Sequence, residues 1–185
     1  MDYQFLEGKS YAITGTNGSG KSTLLQIIAG ATLHSEGKIK YFNAAQNDIA
    51  AEENAYKQIA IAAPYLDLVE EMTATEFLTF HNNFKPFTTS FAEMLQAVGL
   101  QKAANKQIRY YSSGMKQRLK LAQAFFSQTS VLLLDEPTTN LDEEGVTVYN
   151  KLWAQHTANR LVIVSSNDKT EYENCDAIIR MGDYK

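Results

Sequence analysis

The sequence predicts an α/β fold, with a mostly parallel sheet at its centre and a block of helices inserted into it. Short apolar runs such as 131–134 and 161–164 alternate with longer stretches that have helical spacing. Strands that are covered by helices on both faces are apolar throughout, and these runs have that pattern. Residues 66–126 carry mainly helical periodicity, so they are predicted to form the inserted block.

In the first third of the chain, strand patterns surround one helical stretch. Residues 1–6 are interpreted as the end of a strand, and Glu7-Gly8-Lys9 as the turn that follows it. The next elements are a strand over 11–13, a helix over 21–29, and strands over 38–42 and 59–62. Residues 43–56 are polar and rich in alanine, and they match no template.

Helical spacing begins after Thr73, and the helix ends are marked by recognisable residues. Thr75-Glu76 is predicted to open a helix, and Lys85-Pro86 to end it. Ser90 and Glu93 have capping-box spacing, with Gly99 as the stop signal of the same helix. The remaining expected elements are helices over 113–126 and 143–157 and strands over 131–134, 161–164 and 177–181.

A glycine-rich loop lies between the strand at 11–13 and the first helix. It consists of Gly15, Thr16, Asn17, Gly18, Ser19, Gly20, Lys21 and Ser22 and has the phosphate-loop pattern G-x-x-x-x-G-K-[ST]. Glycines let the backbone approach a phosphate, and N–H groups at the helix start are anion donors. Lys21 is predicted to reach the β- and γ-phosphates and Ser22 to hold Mg²⁺. We include Thr23, the next helical residue, in the predicted nucleotide site.

Two carboxylates follow the apolar run that ends at Leu134. Ligands of open α/β sheets collect at the carboxyl ends of strands, where both this pair and the glycine loop are placed. Asp135 suits the oxygen-preferring Mg²⁺ shell. Glu136 is positioned to orient or deprotonate an attacking water.

Composition excludes several classes of function. The net charge of −4 argues against a general nucleic-acid surface. No apolar run approaches 18 residues, so no membrane span is expected, and the N-terminus lacks the regions of a signal peptide. The single cysteine, Cys175, forms no disulfide within the chain and suits a reducing cytosol.

Four motifs in order resemble those of the ATP-binding cassette (ABC) transporter ATPases. They are Gly15–Ser22, the run Tyr111–Arg118, Leu134–Pro137 and Thr138–Asp142. The likeness covers nearly the whole chain. In the second motif, Ser112, Ser113, Gly114 and Met115 are similar to the signature leucine-serine-glycine-glycine-glutamine, from which Tyr111, Ser113 and Met115 depart.

The resemblance implies a P-loop NTPase fold with a RecA-like core over 1–64 and 116–185 and a helical subdomain over 65–115. It implies a head-to-tail homodimer or heterodimer in which Ser112–Met115 of one subunit contacts the ATP of the other. Asp142 would lie at that interface. The helical subdomain would contact a separate transmembrane permease, which places the chain in the cytoplasm at the inner face of the cell membrane.

Three departures from the family pattern stand out. Alignment puts Pro64 where the family has a glutamine that contacts Mg²⁺ and the attacking water, and Gln58 is a poor substitute. Asn167 stands where the family has a histidine that grips the γ-phosphate, so we expect it to be a neutral catalytic donor. The N-terminal antiparallel hairpin, whose aromatic stacks on adenine, is predicted to be truncated.

The sequence therefore predicts an ATP-binding subunit that hydrolyses MgATP to drive a transporter, with ATP and Mg²⁺ as cofactors and no nucleic-acid partner. Two alternatives stay open. One is an ABC ATPase that serves no transporter. The other is a weakly hydrolysing pseudoenzyme, which Pro64 and Asn167 favour and Glu136 disfavours.

Overall fold

A computed structural model describes residues 2–42, 48–49 and 55–184. Its contacts divide the chain into two compact units. The first unit contains Met1–Ile61, Thr129–Glu136 and Asn159–Lys185, and the second contains Ala62–Gln128 and Pro137–Ala158. The prediction for 43–56 falls mostly outside the described residues. No helix in the described part of the chain is long and apolar enough to cross a bilayer.

The first unit is built on a five-stranded sheet. The strands in the described residues are β1 (Ser10–Thr14), β2 (Tyr41–Phe42), β3 (Asp48–Ile49), β4 (Ile59–Ala62), β5 (Val131–Asp135), β6 (Leu161–Ser165) and β7 (Ala177–Arg180). The main sheet has the order β4-β5-β6-β1-β7, and β2 pairs with β3 in a separate antiparallel sheet. Because β5, β6, β1 and β7 pair in parallel, the residues that follow β1, β5 and β6 all leave one edge of the sheet.

Apolar side chains hold this sheet to its first helix, α1 (Lys21–Ile28). Ile13, Leu133 and Ile163 from three neighbouring strands form one cluster with Leu25 of α1, and Leu25 is fully buried. Burial of a leucine side chain contributes about 1.5–3 kcal/mol, so this cluster fixes α1 against the sheet. The loop between β1 and α1 is thereby held at both ends.

The second unit is helical. It contains α2 (Ala74–Asn82), α3 (Phe91–Ala97), α4 (Ser113–Phe126) and α5 (Glu143–His156). Both α2 and α3 begin with complete capping boxes, formed by Thr73 with Glu76 and by Ser90 with Glu93. These side chains satisfy backbone donors that a helix start otherwise leaves unpaired. Gly99 follows the end of α3 with φ of +70°, which confirms it as the stop.

Some predicted elements differ from the structure. Residues 2–9 contain a turn but no strand. There the rings of Tyr3 and Phe5 make edge-to-face contacts with Tyr11, and the Leu6 amide donates to the Tyr11 hydroxyl. A four-residue helix, α6 (Lys169–Tyr172), was not predicted. The division by contacts extends the helical unit through α4 and α5, whereas the sequence placed its boundary at 115. The functional subdomain over 65–115 remains a prediction.

Short 3-10 helices complete the described chain. They are Ala55–Gln58, Gln101–Ala103, Ile108–Tyr110 and Met181–Tyr184.

Candidate functional site

The glycine loop after β1 has the backbone geometry of an anion site. Glycine at position 15 avoids close contacts, since a Cβ there would lie 2.7 Å from Ser19 Oγ and 3.1 Å from Met181 Cβ. Gly20 precedes α1 with φ of +97° and makes no side-chain cap. The first N–H groups of α1 therefore have no capping side chain, which suits them to phosphate oxygens.

Lys21 lies inside this loop with its ammonium turned back on the backbone. Its side chain is buried, and Nζ donates to Gly15 O at 2.7 Å and to Thr16 O at 3.4 Å. The hydroxyl-bearing residues Ser22 and Thr23 follow it in α1, the first half-buried and the second exposed. The loop thus places a lysine charge, backbone donors and a hydroxyl in one short segment.

The acidic residue at the end of β5 fits a magnesium ligand. Asp135 is 2% exposed, and its buried Oδ1 has no hydrogen-bond partner among the described residues. Ser165 pairs with Asp135 in the strand register, and its buried hydroxyl is likewise unpartnered there. In the described part of the chain no group of three or more His, Cys, Asp or Glu forms a metal cage. Mg²⁺ does not require one, because it binds one or two protein oxygens together with phosphate and water.

Glu136 is held in an uncommon backbone conformation directly after Asp135. Its φ is +42°, and its N–H donates to Ser165 O at 2.9 Å. Left-handed conformations of residues other than glycine cost about 1–3 kcal/mol and collect at functional sites. Glu136 is exposed, which is compatible with its predicted role with water.

The structure brings Asn167 to the glycine loop. Its Oδ1 accepts the Gly15 N–H at 3.1 Å, and its Nδ2 donates to Asn17 Oδ1 at 3.5 Å. Next to it, Asp168 caps α6 through Thr170, and these hydrogen bonds hold the pKa of Asp168 below its usual value. Sequence reasoning gave Asn167 a role with phosphate, and the geometry adds a contact that supports the loop itself.

Two contributors to this site were missed from the sequence. The sequence placed Ser165 directly after the predicted strand over 161–164, and Met181 at the end of the predicted strand over 177–181, without assigning either residue to the site. Met181 lies against the glycine loop, with its Cε 3.7 Å from the position of a Cβ on Gly20. Strand register could have indicated Ser165, whereas nothing in the sequence pattern marks Met181.

In the helical unit, the predicted signature forms the start of α4. The Ser112 hydroxyl accepts the Met115 N–H at 3.2 Å, so Ser112 is the N-cap and Ser113 the first helical residue. A Cβ on Gly114 would approach Asn140 O to 3.0 Å, so a larger residue there would require Asn140 to shift by a few tenths of an ångström.

Asp142 is likewise a helix cap. Its Oδ1 accepts the Gly145 N–H at 2.8 Å and so begins α5. A carboxylate in that position is favourable, because it meets the positive end of the helix dipole.

The predicted departures also have defined positions. Pro64 lies at the second position of a turn in which Leu66 N–H donates to Ala63 O at 3.2 Å. Gln58 precedes β4 and accepts from the Ser130 hydroxyl at 3.4 Å, before the start of β5. Gln58 therefore lies at the opposite end of β5 from Asp135.

The three histidines are surface or partly packed residues. His34 is exposed, the ring of His81 lies 4.4 Å from that of Phe77, and the ring of His156 lies 4.4 Å from that of Phe126. The expectation that they are surface or packed residues is confirmed.

Comparisons with known proteins agree with the motif order. A family model described as ABC transporter matches residues 1–139. The chain is 34% identical over 187 residues to the uncharacterized ABC transporter ATP-binding protein YxlF of Bacillus subtilis (strain 168), covering 98% of this chain and 61% of that protein. It is 38% identical over 159 residues to the cytochrome c biogenesis ATP-binding export protein CcmA of Xylella fastidiosa (strain 9a5c), covering 84% of this chain and 70% of that one.

A solved structure supports the fold. It is a dimeric ATP-binding cassette in a post-hydrolysis state, bound to ADP and Pi, and it matches with a TM-score of 0.76 at 23% identity. The match covers 96% of this chain and 83% of that one. Helices and parallel strands are thus arranged here as in a P-loop NTPase.

Proposed function

The chain belongs to the ABC transporter family, and from that premise we propose that it binds MgATP, hydrolyses it, and drives a separate membrane subunit. The observation that carries the proposal is one edge of the sheet, where the glycine loop, Asp135 and Glu136 follow parallel strands. Gly15, Thr16, Asn17, Gly18, Ser19, Gly20, Lys21, Ser22 and Thr23 would bind the nucleotide.

Magnesium would be held by Ser22 and Asp135 together with phosphate oxygens and water. The unpartnered Oδ1 of Asp135 supports this assignment, since a buried carboxylate oxygen needs a cation or a donor. Bound Mg²⁺ supplies charge neutralisation on the β- and γ-phosphates. Glu136 then takes the proton of the attacking water, and Asn167 fixes the loop through Gly15.

We further propose a head-to-tail dimer, either with a second copy or with another ABC ATPase. In it, Ser112, Ser113, Gly114 and Met115 of one subunit would contact the nucleotide of the other, near Asp142. The support is the helix start at Ser112, which offers backbone donors to phosphate. The similar cassette that was solved as a dimer bound to ADP and Pi supports the formation of a dimer. If the chain drives a separate membrane subunit, it would lie in the cytoplasm at the inner face of the cell membrane.

The direct test is phosphate release from MgATP by the purified chain, compared with the Lys21→Ala and Glu136→Gln variants. Release that depends on both residues supports hydrolysis by this chain, and equal release by all three proteins would overturn it. Association with vesicles that contain a permease would separate the transport role from that of an ABC ATPase without a transporter.

Weak selectivity between nucleotide bases is one expected property. The rings of Tyr3 and Phe5 contact Tyr11 near the start of β1, whereas the glycine loop follows the end of that strand. A stacking aromatic contributes roughly 1–3 kcal/mol per base, and because Tyr3 and Phe5 are engaged with Tyr11, we expect recognition to rest on the phosphates. We expect calorimetry to give dissociation constants for ATP and GTP within about tenfold of each other. A strong preference for ATP would reveal an adenine contact, and the Tyr3→Ala variant would then test that ring.

Slow turnover is a second expected property. Loss of one preorganised donor costs about 10²–10³ in rate; Pro64 supplies no side-chain donor, and Asn167 supplies at most a neutral one. The Pro64→Gln, Asn167→His double variant should raise kcat with little change in ATP affinity, since Lys21 and Ser22 carry the binding. Asn167→Ala is the matched control, because it removes the amide contact with Gly15 without adding a donor. A double variant no faster than the parent would contradict the assignment.

A further inference from the structure

The segment after β4 forms a tight turn rather than an open loop. Leu66 N–H donates to Ala63 O at 3.2 Å, and Pro64 lies at the second position of this 63–66 turn. Proline favours that position because its ring fixes φ near the value that the turn requires. Ala63 is fully buried, while Pro64 is exposed. The turn is therefore restrained from its own sequence before any other residue touches it.

A lysine from α4 binds the same turn. Lys120 Nζ donates to Ala63 O at 3.2 Å and to Pro64 O at 2.9 Å. The side chain is half-buried, and burial lowers the pKa of its ammonium. The negative charge of Asp67 raises the same pKa, and burial is the larger effect. An ammonium that is partly removed from water gains most from acceptors held in place, and these two carbonyls are its hydrogen-bond partners in the described chain.

The helix that carries Lys120 also carries the signature. α4 begins at the Ser112 cap, and one of its inward residues, Gln117, donates to Pro137 O at 2.8 Å. Gln117 is 3% exposed and lies one turn before Lys120, so the two side chains share a face. A cleft of about 220 Å³ opens along this face, lined by Pro64, Gln117 and Lys120 among others. One helix face is thus bonded to the segment after β4 and to the residue after Glu136.

We propose that Lys120 is a positioning residue that binds the 63–66 turn to the signature helix and makes turnover depend on this contact. The inference rests on the proposed ATPase function. By the resemblance to the family, Pro64 stands where a glutamine is expected, and Pro64 has neither an N–H nor a polar side chain. Lys120 supplies a link of its own, because it joins α4, the helix that begins at the Ser112 cap, to the main-chain carbonyls of the 63–66 turn.

The test compares Lys120→Met, which keeps the length of the side chain but removes its donors, with Lys120→Arg. We expect Lys120→Met to lower kcat roughly tenfold while KM for ATP changes less than about twofold, because the nucleotide loop is untouched. Lys120→Arg should restore kcat to within about threefold of the parent, since it also donates to carbonyls. Lys102→Met, which removes an exposed ammonium from the same unit, should leave both constants unchanged.

Rescue by arginine distinguishes positioning from a general loss of packing. Lys120→Met and Lys120→Arg both change the shape of the side chain, but only arginine keeps donors for Ala63 O and Pro64 O. A loss of packing would lower kcat in both variants. Equal losses in the two variants, or an unchanged kcat for Lys120→Met, would overturn the proposal.

Hydrogen exchange gives a readout that needs no turnover. The Leu66 amide closes the 63–66 turn, so Lys120→Met should speed its exchange by roughly tenfold, while the Leu24 amide in α1, bonded to Gly20 O, keeps its rate. If the parent releases no phosphate from MgATP, the proposed function fails. The Leu66 rate then decides alone whether Lys120 holds the turn, and an unchanged rate overturns it.

Discussion

Replacing Lys21 with alanine is expected to lower the affinity for MgATP by about 100-fold or more. Lys21 is buried in the glycine loop, and its ammonium is already oriented by Gly15 O at 2.7 Å. Removing one partner of a desolvated charge pair costs about 2–5 kcal/mol, and 100-fold corresponds to about 2.8 kcal/mol. Isothermal titration calorimetry with MgATP measures the loss directly.

Two further variants separate the charge from the packing. Lys21→Met keeps the length of the side chain but removes its charge. If the ammonium binds phosphate, this variant should lose nearly as much affinity for MgATP as Lys21→Ala. Lys9→Ala removes an exposed lysine that pairs with Asp176 at 3.5 Å, and it should change the affinity by less than about twofold. An affinity for Lys21→Met equal to that of the parent would show that the loop does not bind phosphate through this residue.

Local signals in the sequence predicted most of the secondary structure. The apolar runs at 131–134 and 161–164 are the central strands β5 and β6, and both extend one residue further than predicted. The capping box of Ser90 and Glu93 is present with both of its reciprocal hydrogen bonds. These features involve residues close in the chain, so their chemistry can be recognised without knowing the fold.

Contacts between distant residues were not predictable in the same way. Asn167 accepts the Gly15 N–H across 152 positions, and Lys120 donates to Pro64 O across 56. No residue pattern encodes such distances, because the sheet order and the helix packing decide which segments meet. The α6 helix was missed for another reason, since four residues carry too little periodicity to identify a helix.

The site also combines features that are local in the sequence with features that depend on contacts between distant residues. The glycine loop and the pair Asp135-Glu136 could be located from motifs, since each motif lies within one strand-to-loop junction. The left-handed conformation of Glu136 could not, because it arises where its N–H bonds to Ser165 O on the neighbouring strand. That conformation gives the strongest physical reason to assign Glu136 to the chemistry rather than to a surface turn.

Glutamine in place of Glu136 is expected to lower kcat for ATP hydrolysis by about 10²–10⁴-fold and to leave an ATP-bound dimer. The amide keeps the size of the side chain and its ability to orient a water, but it does not accept the water's proton. The backbone is affected little, since φ of +42° is equally costly for Glu and Gln and the N–H bond to Ser165 O remains. Nucleotide should therefore bind through Lys21 and Ser22 and persist.

Phosphate release measures the turnover of this variant, and size-exclusion chromatography with MgATP measures its assembly. The Glu136→Gln protein should elute as a larger species with MgATP and as a smaller one without nucleotide, whereas the parent should return to the smaller species as ATP is consumed. Glu173→Gln, which neutralises an exposed carboxylate elsewhere in the same unit, should behave like the parent in both measurements. If the Glu136→Gln protein hydrolyses ATP at the parental rate, Glu136 is not the general base. If it stops hydrolysing but elutes as the smaller species with MgATP, the role of Glu136 as the base is supported and the ATP-bound dimer is contradicted.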